Sequence, residues 1–131
     1  MTPALRAQLA RAKARLDTLS LYPEPVSLRR VRVRVAPWFF RVPGFRRYHG
    51  YAFVRTILVR RAGPSDDLVT HELCHVWQMQ HRPLHVCWSW LVHSYRSNPY
   101  EVEARAATAA TAARAGSPQP SPVSSGRAPI D

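Results

Sequence analysis

The sequence predicts an α+β domain: an N-terminal helix, a small twisted antiparallel or mixed sheet, and helices after it. Three observations carry this. Residues 3–20 place apolar side chains at helical spacing. Residues 26–35 alternate valine and arginine as a half-buried strand does. Beyond residue 63, two helix-start signals each open a long helical stretch.

In the first helix, Leu5, Leu9, Ala12, Leu16 and Leu19 share one face, and Arg6, Arg11, Lys13 and Arg15 lie elsewhere. Pro23 and Pro25 turn the chain toward the sheet region, residues 26–61. There Val31, Val33 and Val35 alternate with Arg30, Arg32 and Arg34, giving a strand with a basic outer face. Pro37, Pro43 and Gly44 break the aromatic stretch that follows, so an irregular connection or loose hairpin is expected. Residues 51–60 read as a second strand.

Gly63-Pro64-Ser65-Asp66-Asp67 opens a helix over 65–80. Ser65 or Asp66 can cap it, and acids suit its first turn. It must stop before Pro83. Residues 84–96 are apolar almost all round and read as a buried helix. Asn98-Pro99-Tyr100-Glu101 starts the last one, over 99–115: Asn caps, Pro takes the first helical position, and Glu follows three after the cap. Residues 1–115 thus read as one domain. Residues 116–131, rich in Pro and Ser, read as a disordered tail.

The chain of 131 residues carries a formal net charge of +11, and of its 19 basic residues only Lys13 is not arginine. Such a charge suits nucleic acid, anionic membrane or an acidic partner; the plain alternative is a solvated basic surface. Two cysteines, Cys74 and Cys87, do not make a disulfide framework. Residues 1–20 lack the apolar core of a secretory signal, and no apolar stretch is long enough to span a bilayer. A cytoplasmic protein is the expectation.

His71-Glu72-Leu73-Cys74-His75 carries the chemistry. At 3.6 residues per turn the two histidines lie about 40° apart on one helix face, so both imidazoles can reach one Zn2+. Glu72 sits beside them. There it can take a proton from water that the metal has acidified, as a general base. Val69, Leu73, Val76 and Trp77 gather on the opposite face and would anchor the helix in a core. Cys74 reads as a small buried residue. A third protein ligand is required, with one position left open. Asp66 and Asp67 are too close upstream to fold back. Glu101 and Glu103 lie 26 and 28 residues beyond His75 and about 200° apart on their helix, so one of them can face the metal. Glu101 is favoured; Glu103, His81, His85 and His93 stay open.

The blocks Thr70-His-Glu-Leu-Cys-His-Val-Trp-Gln78 and Asn98-Pro-Tyr-Glu-Val-Glu-Ala104 together resemble gluzincin-type zincin metallopeptidases, and small bacterial minimal gluzincin domains in particular. The resemblance covers roughly residues 50–112. It implies a zincin-like minimal catalytic domain, peptide or protein substrates, and Glu101 as the third zinc ligand. It also implies that an edge strand beside the active helix binds extended peptide, a role that would fall to Thr56, Leu58 and Arg60. A Tyr or His near the third ligand would donate to the oxyanion. Tyr95 is favoured for this over Tyr100 and His93. Arg105 stands four residues after Glu101, where such families often place a supporting Asp.

Three functions compete. The first is a zinc metallopeptidase with Glu72 as general base. The second is a zinc-binding interaction module with little turnover, to which Arg105 points. The third is a basic nucleic-acid-associated protein on the same frame, with Arg30, Arg32, Arg34, Arg60 and Arg61 as its phosphate-binding face.

Overall fold

A computed structural model describes residues 1–115, so the tail expected at 116–131 lies outside the described residues. The order of elements is helix α1 (Pro3–Leu16), strand β1 (Arg32–Val35), strands β2 (Gly50–Phe53) and β3 (Thr56–Val59), then helices α2 (Asp66–His81), α3 (Pro83–Val92) and α4 (Pro99–Ala115). Among the described residues the architecture is α+β: four helices and one three-stranded mixed sheet.

α1 behaves as its spacing requires. Thr2 caps it, Pro3 opens it, and Leu9, Ala12 and Leu16 are buried. It ends at Leu16 rather than residue 20. Leu19 still packs against the core from the turn that follows. The connection between β1 and β2 is irregular, with one 3-10 turn at Phe39–Arg41 that buries Phe40.

The sheet differs from expectation in one respect. Residues 51–60 are not one strand but a hairpin, with Val54 and Arg55 as a two-residue loop between Phe53 and its partner Thr56. Val54 takes φ 57°, the left-handed region that tight hairpin loops demand and a β-branched residue resists. β3 pairs with β2 on one side, antiparallel, and with β1 on the other, parallel.

Register sorts the two faces. Val33, Ile57 and Val59 face the helices and are buried with Val69, Leu73, Val76 and Trp77 of α2. Arg32, Arg34, Thr56 and Leu58 belong to the opposite face. α2 is the central helix, touching α1, α3, α4 and the sheet. α3 departs from its predicted burial. It ends at Val92 rather than 96, and only Val86 and Ser89 of its ten residues are buried. Apolarity all round shows that a helix avoids water, not that this chain supplies enough neighbours to cover it. Among the described residues no helix is long and apolar enough to cross a membrane.

Candidate metal centre

α2 begins where its cap directs. The Ser65 hydroxyl accepts from the Leu68 amide at 3.1 Å, and Asp66 and Asp67 occupy the positive end of the helix. From this start His71 and His75 fall one turn apart and turn away from the packed face. α4 supplies the third group. The Asn98 carboxamide oxygen accepts from the amides of Tyr100 (2.8 Å) and Glu101 (3.4 Å), so the cap itself fixes the turn that carries Glu101.

The two helices bring their polar groups to one point. His71 Nε2 lies 2.9 Å from one Glu101 oxygen and His75 Nε2 lies 2.8 Å from the other. The side chains of His71, His75 and Glu101 are 17%, 12% and 2% exposed, so the cluster is sheltered but reachable. One donor atom from each lies within 4.8 Å of the others, and the group can hold a metal ion. Among the described residues it is the one cluster of three or more His, Cys, Asp or Glu side chains so placed.

The other ligand candidates are engaged elsewhere. His81 contacts the Trp77 carbonyl and stacks on Tyr22. His85 is bonded to the Tyr100 hydroxyl, and His93 to the Ser89 carbonyl at 3.3 Å. Cys74 is buried, which pushes its thiol up to about 12. Glu103 serves the centre from one layer out. Gln78 places its Oε1 at 2.8 Å from His75 Nδ1, and its amide nitrogen donates to the Tyr100 carbonyl (2.8 Å) and to Glu103 (3.0 Å). Both of those partners can only accept, so the amide orientation is fixed and its oxygen must face the ring. His75 Nδ1 therefore keeps its proton. In the neutral ring the lone pair is then on Nε2, the atom aimed at the cluster. The Tyr22 hydroxyl donates to Glu103 at 2.5 Å and completes the chain. Spacing carried a signal for this: Gln78 is three residues after His75, on the same helix face.

Glu72 lies beside the cluster at the foot of β2. A Cβ on Gly50 would come within 3.1 Å of the Glu72 side chain, so the strand approaches this closely because residue 50 has none. Burial raises the Glu72 carboxyl above its ordinary value, although the two histidines pull the other way. At Glu101 burial pushes up as well, but hydrogen bonds from His71 and His75 prevail and hold it well below the usual carboxylate range. At His75 burial opposes charge, yet the Glu101 hydrogen bond and the Glu72 charge raise it. Two neighbouring carboxylates are thus driven apart, one toward holding a proton and one toward staying anionic.

A cleft of about 210 Å³ opens over Glu72, His75 and Glu101. β2 forms one wall, and Val86, Cys87 and Trp90 of α3 the other. Tyr95 lines it too. Burial and the Glu101 carboxylate raise its hydroxyl, so it remains a proton donor at neutral pH. Arg105 reaches the Arg96 carbonyl at 2.9 Å and lies over the Tyr95 ring, with its guanidinium 3.9 Å from Glu101.

Thr56, Leu58 and Arg60 do not line this cleft. β3 is the central strand with both edges paired, so it has no edge to offer a peptide. Thr56 and Leu58 pair with Phe53 and Tyr51 on the sheet face away from the helices. Arg60 is turned to the carbonyls of Phe40 and Arg46. The outer strand beside α2 is β2. No protein-family model, curated protein or solved structure matches this chain.

Proposed function

We propose that the protein is a zinc-dependent metallopeptidase with His71, His75 and Glu101 as ligands and Glu72 as general base. The observation that carries this reading is the convergence of those three donors beside a buried carboxylate of raised pKa, with Glu72, His75 and Glu101 lining one cleft. Two imidazoles and a carboxylate are a catalytic zinc donor set, with a position left open. Arms of about 2.0–2.1 Å at tetrahedral angles put donors about 3.3 Å apart. The N···O contacts of 2.8 and 2.9 Å go to different Glu101 oxygens and one donor atom from each residue lies within 4.8 Å of the others, so side-chain adjustment would bring three donors onto the ion. Bound there, zinc supplies a Lewis acid that acidifies water and polarises a carbonyl.

The protein's own groups do the rest. Glu72 would accept a proton from water and pass it to the leaving amine, and its raised pKa suits both transfers. Tyr95, on the cleft wall, would donate to the developing oxyanion. An extended peptide adds to the open edge of β2, and a side chain enters the cleft between Met79, Val86 and Trp90.

Glu72→Gln tests this directly. The variant should keep about one zinc per chain and lose about 10²–10⁴-fold in cleavage of a peptide library. Cleavage equal to wild type, or a wild-type protein without zinc, would overturn the reading. A second reading, a zinc-holding module without turnover, draws on Arg105 beside Glu101. It predicts equal zinc in both proteins and no cleavage by either.

A further inference from the structure

The outer face of α3 is not used by the centre. Its inner side is occupied: Val86 and Ser89 are buried, and Trp90 lines the cleft. Leu84, Trp88 and Leu91 follow one another at i, i+4 and i+7, which makes a single stripe along the other side, with Cys87 at its border with the cleft. Leu84 is 85% exposed, Trp88 62% and Leu91 80%. A contiguous apolar stripe of this kind marks an interaction surface, unlike apolar residues scattered singly. Across the cleft mouth stands the hairpin tip, where Phe53 and Val54 are also exposed. Phe53 and Cys87 line the same cleft, so the two apolar patches flank one opening.

The surroundings are cationic. The sequence has no Asp or Glu between Glu72 and Glu101, and none between Glu24 and Asp66. Arg82 and Arg96 flank α3. Arg29, Arg30 and Arg55, with one acid, Glu24, share a surface depression with Val54 at the hairpin tip.

We propose that the α3 stripe and the hairpin tip dock this protein on an anionic lipid bilayer. A helix of ten residues is about 15 Å long, half the thickness of a hydrocarbon core, so α3 lies in the interface and does not cross it. Leucine and tryptophan enter the acyl boundary. The flanking arginines reach phosphate groups while their stems cover apolar surface. A second copy fits the same stripe less well. It would bring together two chains of net charge +11 with no acid on the helix they share. Docked on lipid, the cleft opens at the membrane surface.

Binding of the full chain to vesicles tests the proposal without any need for turnover. Wild type should sediment with vesicles of phosphatidylglycerol and phosphatidylcholine, far less with phosphatidylcholine alone, and show tryptophan quenching by brominated acyl chains. The uncharged double variant Leu84→Ser/Leu91→Ser should weaken that binding about tenfold or more, at unchanged helix content. Trp88→Ser supplies the same comparison should the double variant misfold. Three results would overturn the proposal. The first is no binding to anionic vesicles. The second is binding that the stripe variants leave intact, which assigns it to arginine alone. The third is self-association abolished by the same variants in place of vesicle binding.

Discussion

α2 and α3 are consecutive helices that meet at Arg82, and they treat their residues in opposite ways. α2 buries polar groups: Thr70, Glu72 and Gln78 are all inside. α3 exposes apolar ones and buries Ser89. Two of these groups are partnered within the chain, Thr70 with the Asp66 carbonyl and Gln78 with three groups. Among the described residues the Ser89 hydroxyl has no hydrogen-bond partner. α2 also begins with a side-chain cap and two acids, whereas α3 has neither. One helix is held by the fold and arranges chemistry. The other is held lightly and leaves its most apolar side free. Both helices depart from the usual inside-outside sorting, but in different ways: the exceptions in α2 surround a cluster that can hold a metal ion, and those in α3 form the face proposed to dock.

Two tryptophans expose the difference most sharply. Trp77 is buried and donates its indole N–H to the Glu24 carbonyl at 2.8 Å. Trp77→Ala should cost about 3–5 kcal/mol of stability. Trp88→Ala should leave stability within about 0.5 kcal/mol, since its ring meets mainly solvent. Denaturant melts of the two variants check this, and equal losses would dissolve the contrast.

A smaller effect is expected at Gln78, the residue that makes the α2 centre an ordered one. Gln78→Ala should weaken zinc binding about 10–100-fold in competition with a chelator. Gln78→Glu should fail to restore it. Glu103 and the Tyr100 carbonyl both require a donor where the new carboxylate would stand. Full affinity in the Glu variant would remove the argument that the amide orients His75.

The smallest effect belongs to the start of α2. Hydrogen bonds from Arg11 and then Gln8 lower the Asp66 carboxyl below its ordinary value. A depressed folded pKa gives stability that is present above the unfolded value near 3.8 and is lost as pH falls through the folded one. Asp66→Asn should therefore flatten the acid limb of the stability curve by lowering stability slightly at neutral pH and leaving it unchanged in acid. Because the pair is exposed, the shift in melting temperature should be the least of the three.

What was legible in the sequence follows the reach of each signal. The α2 cap, the ligand pair and the Asn98-Pro99 start that delivers Glu101 are all written within one or two turns of chain, and each appears where its local chemistry places it. The hairpin is invisible because Val54-Arg55 lacks the Gly or Asn that a tight loop normally announces. Read as one strand, residues 51–60 put a free sheet edge at Thr56–Arg60, whereas the hairpin puts it on β2. The exposure of α3 is invisible for another reason. Periodicity reports that a face is apolar but says nothing about whether residues distant in sequence arrive to cover it. Gln78 and Gly50 lie between these cases. The first sits at ligand-face spacing, while the second gains meaning only once β2 is laid against Glu72.

The placement of Glu101 on a separate helix has a consequence for the unfolded chain. An ion held by His75 and Glu101 ties positions 26 residues apart and closes a loop that contains all of α3. By loop-closure entropy such a tie removes about 3–4 kcal/mol of conformational freedom from the denatured ensemble, as a disulfide of that span does. The ion would then act as a staple as well as a reagent, and it would fasten the one helix that the apolar core holds least.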